Sequence, residues 1–298
     1  MIGRRPLDLA AVALLTFGAG TARAETLDVR TDSYPVAYFA ERIAGDTAEV
    51  VLPVPADVDP AHWVPPIAEI ATFQQADLVL LTGAGLADWT TRTSLPRSRT
   101  IDTSTAYADA LIETEGVTHS HGPEGDHSHA GVAPFTWLDL DLATLQAEAV
   151  AEALARRLPG EAALFEANLK ALAADLATLD AVAEEVGALA AGRPLLASHP
   201  RYQYLARRYG LALESVEWEA DKPPGPEQLD ALDALLEKHP ATIMLWDADP
   251  GADTRQVLMN LGITSVVFPA LANRPADGDF VTSFRDSLAS LRAAIVAG

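Results

Sequence analysis

Residues 160–190 read GEAALFEANLKALAADLATLDAVAEEVGALA. Phe165, Leu169, Leu172, Leu176, Leu179, Ala183, Val186 and Ala190 return at alternating steps of four and three, which places them on one stripe of an α-helix. Ala, Leu and Glu, all strong helix formers, fill the stretch. Pro159 and Gly160 open it, and Gly192 with Pro194 closes it. At about 1.5 Å per residue the rod is about 45 Å long, more than one small lobe can cover. Such a stripe also suits a coiled coil or the long core helix of a single domain. Strand-rich sequence on both sides favours a helical backbone shared by two α/β lobes.

On the N-terminal side, strands are expected at 27–31, 50–54, 77–83 and 99–102, separated by helices at 36–44 and 67–75. A helix opened by Trp137-Leu138-Asp139 runs to Leu158. Beyond the rod the order repeats. Strands at 194–198, 213–218, 242–246 and 265–268 alternate with helices at 202–209, 227–238 and 253–261, and a helix at 280–296 ends the chain. Strand–helix alternation implies crossover connections, so each lobe should hold a mostly parallel four-stranded sheet. The expected organisation is an N-terminal lobe at 25–158, a linking helix at 159–191 and a C-terminal lobe at 192–298. Ligands of such sheets gather beyond the carboxyl ends of the strands. That puts Ser33, the His62 loop and residues 83–89 on one rim, and His199, Glu219 and Asp247 on the other.

Arg4 and Arg5, the apolar run 9–18 and Ala22-Arg23-Ala24 have the form of a signal peptide (1–24) cleaved before Glu25. Arg4-Arg5 also admits a twin-arginine signal, although ordinary positive charge at the start of a signal explains it as well. The apolar run is too short to span a bilayer. The sequence contains no cysteine, which excludes disulfides, thiolate ligands, a cysteine nucleophile and a lipid-bearing cysteine. A periplasmic protein without membrane insertion is expected. The chain carries a net charge of −21, and the signal is itself net positive, so the remainder is more acidic still. Such a surface repels phosphate backbones and makes nucleic acid a poor partner.

Histidine carries the clearest chemical signal. Residues 118–131 form a low-complexity segment in which His119, His121, His127 and His129 make two His-x-His pairs around a Gly/Pro-rich centre. Gly and Pro exclude a helix there, and a mobile loop is expected. Short His-rich tracts bind metal without needing a fold. His62 and His199 follow strands in opposite lobes, and imidazole suits zinc, copper, nickel or iron. Asp247, beside His199, is a candidate ligand, a group that orients an imidazole, or a solvated rim charge; Glu219 is a weaker candidate for the same parts. No nucleophile motif accompanies Ser198-His199, and Gly83-Ala84-Gly85 lacks the third glycine of a phosphate loop. An enzyme is not expected.

The chain resembles the metal-binding solute receptors of zinc and manganese ABC importers, the ZnuA-like type. The resemblance lies in Ser33-Tyr34-Pro35, Ile43-Ala44-Gly45-Asp46, Asp59-Pro60 before His62, Ala76-Asp77-Leu78-Val79 through Gly83, Trp137-Leu138-Asp139, Asn168, and His199 with Tyr204 and Tyr209-Gly210-Leu211. It implies two α/β lobes bridged by one helix, with a metal between them held by three histidines and a carboxylate in zinc members. His62, displaced by one residue, matches the first ligand and His199 the third. Phe135 stands at the second histidine's place and Phe268 at the carboxylate's. The resemblance therefore implies an altered metal site built on His62 and His199, completed by the loop histidines with or without Asp247. A different outcome is a cleft remodelled by Phe135, Phe268, Trp63 and Trp246 for another ligand. The implied cargo is zinc, with manganese second. The implied partners are an ABC permease and its ATPase, acting on a monomer. The alternative is a metal-buffering chaperone that binds mainly through its His-rich loop.

Overall fold

The computed structural model describes residues 26–120 and 126–298. In chain order its elements begin with β1 Leu27–Thr31, α1 Tyr34–Ala44, β2 Ala48–Val51, α2 Ile67–Gln75, β3 Leu78–Leu81 and β4 Thr100–Asp102. A ribbon follows, β5 Glu113–Ser120 and β6 Asp126–Val132, then α3 Leu140–Arg157 and the rod, α4 Ala162–Ala190. The second half holds β7 Pro194–Ala197, α5 Gln203–Tyr209, β8 Ala212–Ser215, α6 Pro226–Leu236, β9 Ile243–Trp246, α7 Gly251–Asn260, β10 Thr264–Val267 and α8 Phe280–Ala297.

The two main sheets have four strands each, in the orders β2-β1-β3-β4 and β10-β9-β7-β8, and every pairing within them is parallel. Parallel sheets covered on both faces read as apolar runs rather than alternation. Thus Leu78, Val79 and Leu80 of β3 are buried, as is all of β9, Ile-Met-Leu-Trp. In each sheet the strand order reverses beside the first strand, between β1 and β3 and between β7 and β9. The crevice of such a sheet opens at that reversal, off the carboxyl ends.

The rod joins the lobes through the stripe read from its sequence. Phe165, Leu172, Leu176, Leu179, Ala183, Val186 and Ala190 are buried, and Leu169 is half-buried. One apolar core runs from β1 and α1 through this stripe to α5 and α8. Polar ties on both sides fix its register. Asn168 donates to the Ile43 carbonyl at 2.9 Å, and Arg42 meets Asp175 at 2.7 Å. On the other lobe Tyr209 donates to Asp180 at 2.8 Å, and Arg208 pairs with the same carboxylate.

The His-rich segment departs from expectation. Its described parts are no irregular loop but an antiparallel ribbon, in which His119 pairs with His127 and Val117 with His129. Cross-strand pairing satisfies backbone groups that an isolated His/Gly-rich tract leaves to water. His121 lies outside the described residues, as do the leader at 1–24 and Glu25. The ribbon is rooted at the lobe junction, where Ala133 donates to the Ile112 carbonyl at 2.9 Å and Ile112 donates to Tyr204 Oη at 3.0 Å.

Gly187 marks the tightest approach to the rod. A Cβ there would stand 2.4 Å from the Tyr209 carbonyl oxygen and 2.9 Å from Tyr209 Cβ. Gly187→Ala gains about 1 kcal/mol of helix propensity. Overpacking against backbone costs about 1–3 kcal/mol, and backbone cannot swing aside. The substitution should lower the urea midpoint of unfolding; a variant as stable as the parent would show that α4 and α5 are packed more loosely than described.

Candidate functional site

The N-terminal rim is built on a buried hydroxyl pair at the strand-order reversal. Asp32 and Ser33 follow β1, and Thr82 follows β3. Asp32 Oδ1 accepts from the Thr82 backbone N–H and from Thr82 Oγ1, both at 2.9 Å. Ser33 Oγ lies 2.6 Å from Thr82 Oγ1. Since Thr82 gives its one hydroxyl proton to Asp32, Ser33 is the donor in that contact. Asp32 is buried, and burial pushes its carboxyl up to about 7 against the pull of the Thr82 bonds. The Gly83-Ala84-Gly85 turn beside it is a packing device. Gly83 has φ +77°, and a Cβ there would meet Asp102 Oδ1 at 1.8 Å. Ser104 closes the turn by accepting from the Ala84 N–H at 3.1 Å while donating to Asp102.

Between the rims stands Arg201, four residues past the end of β7. Its Nη2 lies 2.6 Å from Asp59 Oδ2 of the N-terminal lobe, and its Nη1 lies 3.6 Å from Asp247 Oδ2 of the C-terminal lobe. The guanidinium carbon sits 5.0 Å from the centre of the Phe135 ring. Each carboxylate uses one oxygen locally and turns the other to the arginine. Asp59 Oδ1 accepts from the Ala61 N–H at 2.9 Å, and Asp247 Oδ1 accepts from the Ala270 N–H at 2.5 Å. The Arg201 side chain is only 16% exposed. Burial works against its charge, yet Asp59 and then Asp247 outweigh that and raise its pKa above the ordinary arginine value.

The predicted ligands lie around this ion pair without converging. His199 is half-buried, with Nε2 3.6 Å from Glu219 Oε1. Burial first, then the Arg201 charge, lowers its pKa below the usual 6.5, against the opposing pull of Glu219 and Asp247. That shift favours the neutral imidazole, the form a metal requires. His62 is exposed, in a turn where its N–H donates to the Asp59 carbonyl at 3.0 Å. Asp247 belongs to the Arg201 pair. Zinc takes about four ligands, but among the described residues no group of three or more His, Asp or Glu is placed to hold one. The donor set available at the junction does not fit a metal as it stands, and a guanidinium occupies the space between its carboxylates.

The aromatics at the resemblance's ligand positions have distinct parts. Phe135 is the platform under Arg201. Phe268 is wholly buried, edge-on to Tyr202 at 6.0 Å and to Phe284 at 5.5 Å, and Tyr202 donates to the Phe268 carbonyl at 2.7 Å. Trp63 packs with Phe73 and Trp89, and Trp246 with Trp218, in separate buried clusters. Trp63 and Trp246 are core, not the lining of a remodelled cleft. Sequence reasoning passed over Arg201 and Asp32. For Arg201 the available signal was a cation two residues beyond a candidate ligand in a strongly acidic chain.

The lobes also meet through backbone. Tyr34 N–H donates to the Ala272 carbonyl at 2.8 Å and Trp137 Nε1 to the Ala270 carbonyl at 2.6 Å, while Asn273 Nδ2 reaches the Pro55 and Val58 carbonyls at 2.6 and 2.9 Å. No described helix is long and apolar enough to cross a membrane.

The family described as "Zinc-uptake complex component A periplasmic", ZnuA, matches residues 29–294. The chain is similar to the zinc-binding lipoprotein AdcA of Streptococcus pneumoniae R6, 28% identical over 220 residues that cover 72% of this chain and 43% of AdcA. It thus spans less than half the length of that relative. It is also similar to the high-affinity zinc uptake system protein ZnuA of Bacillus subtilis 168, 26% identical over 78% of this chain and 74% of that protein. Among solved structures, the metal-dependent lipoprotein YcdH of Bacillus subtilis superposes with a TM-score of 0.77 at 21% identity, covering 90% of this chain and 98% of YcdH. FpvC of Pseudomonas aeruginosa in complex with Mn2+ superposes with a TM-score of 0.71 at 21% identity, covering 92% and 99%. At these identities the structural likeness bears on the fold.

Asp32 supplies a pH test. Its folded carboxyl titrates near 7 against an ordinary 3.8. The folded state therefore holds a proton that the unfolded chain gives up, and Asp32's contribution is fully present below about pH 4 and lost as pH rises through about 7. The stability of Asp32→Asn minus that of the parent should rise between pH 4 and 7, by at most about 1.4 kcal/mol per pH unit, then level off. A difference flat across that range in denaturant titrations would show that Asp32 is ionised in the fold.

Proposed function

The chain belongs to the ZnuA family, and on that premise we propose that it captures zinc outside the cytoplasm and delivers it to an ABC permease and its ATPase. The observation that carries this reading is the meeting of two strand-end rims, one per lobe, at a single charged junction beside the root of a His-rich ribbon. The imidazole of His199 is the ligand best prepared for metal, since burial favours its neutral form and the Glu219 carboxylate lies 3.6 Å from Nε2. His62 on the facing rim and His119, His121, His127 and His129 of the His-rich segment supply the remaining nitrogen. Manganese is the second cargo, disfavoured by an imidazole-rich set. No catalytic role is assigned. The leader is removed before Glu25, leaving a monomer of two lobes, 25–158 and 192–298, joined by 159–191.

The occupied junction supports one further reading, a metal-buffering chaperone that binds mainly through the ribbon. The two differ in which histidines matter. Zinc affinity, measured by chelator competition, should fall at least 10-fold in His62→Ala/His199→Ala if the junction takes the cargo. Replacing the four histidines of the His-rich segment with alanine should then reduce affinity without abolishing binding. Tight binding that survives the double substitution and vanishes with these four histidines would establish the buffering reading instead. In either case affinity should decline as pH drops through the histidine range, because bound imidazole must be deprotonated.

A further inference from the structure

Arg201 is a cation built into the place where two lobes present carboxylates to one another. Asp59 and Asp247 come from loops of opposite lobes, each holds a backbone N–H with one oxygen, and each offers its second oxygen to the same guanidinium. Phe135 lies against the guanidinium, and its ring attracts a cation. Arg201 also stands two residues past His199, its backbone N–H donating to the His199 carbonyl at 2.8 Å. A divalent ion drawn to the same oxygens would share a largely buried space with a fixed positive charge, where repulsion is poorly screened. The guanidinium and the metal therefore exclude one another.

We propose that Arg201 is an intramolecular competitor of the cargo metal, the guanidinium and the ion taking the Asp59 and Asp247 carboxylates in turn. Arg201 then sets the affinity of the junction, and its return to the carboxylates helps to eject the ion on delivery. This inference rests on the receptor reading above and adds an affinity-determining residue to it. Arginine suits the part because it stays charged at every physiological pH and its planar fork spans two carboxylates.

Zinc binding by the full chain, without its leader, tests the proposal in Arg201→Gln, Arg201→Lys, Asp59→Asn and the double variant Asp59→Asn/Arg201→Gln. Chelator competition should show Arg201→Gln gaining at least 10-fold in affinity, or one added equivalent of zinc. Arg201→Lys, still a cation, should gain little, and Asp59→Asn in the Arg201→Gln background should remove the gain. Equal or weaker binding by a folded Arg201→Gln would overturn the proposal, as would a gain that persists in the double variant. The Arg201 Nε–H resonance of the parent chain provides a measurement independent of any variant's folding. It should shift as zinc saturates the protein, and an unmoved resonance would also overturn the proposal. If neither parent nor variant binds zinc, the receptor reading itself fails; equal binding by both removes only the competitor role.

Discussion

The structure depends on one stripe of side chains. Phe165, Leu172, Leu176, Leu179, Ala183, Val186 and Ala190 are buried along one face of α4 and belong to a core that neither lobe completes alone. Fully burying a large apolar side chain stabilises by about 1.5–3 kcal/mol, so the stripe outweighs any single polar contact between the lobes. It also acts as a geometric constraint. A rod packed on both lobes fixes their relative orientation and brings the carboxyl ends of two parallel sheets to one junction. The direct bonds there, from Tyr34, Trp137 and Asn273 to the opposite lobe, describe lobes already closed upon each other.

Within that fixed frame the chemistry is a matter of charge balance. A buried charge is tolerated when it is paired and its remaining polar groups are bonded. Arg201 meets that condition through two lobes at once, and Phe135 covers its face. The two aromatic departures thus have different consequences. Phe135 gives a guanidinium a surface to rest on, whereas Phe268 extends the C-terminal core beneath Tyr202. A receptor with these features would select its cargo by competition with an internal cation as well as by the number and type of its ligands.

Much of this architecture was legible in the residues, because it depends on local periodicity. The rod's stripe, the apolar runs of β3 and β9 and the extent of α2 follow from patterns spanning fewer than thirty residues. The His-rich segment was only half legible. Its composition argued against a helix, but the pairing of His119 with His127 depends on a partner strand that the local pattern does not specify. The junction was the least legible part. His199 and Asp247 could be placed by the strand-end rule, yet Arg201 takes its meaning from Asp59, Phe135 and Asp247, all distant in sequence. His62 lies in the loop after β2, as its place in the sequence implied. Its exposure beside the buried Trp63 is set by a turn at Asp59-Pro60 that spacing alone does not reveal.

The central claim is that a metal enters the lobe junction by displacing a resident guanidinium. Crystals of the mature protein grown with zinc, with anomalous data collected on both sides of the zinc absorption edge, would locate the ion directly. The account predicts a peak in contact with the His199 imidazole and the Asp247 carboxylate, with Arg201 swung away from Asp59. A peak confined to the ribbon, with the Arg201–Asp59 pair intact, would contradict it.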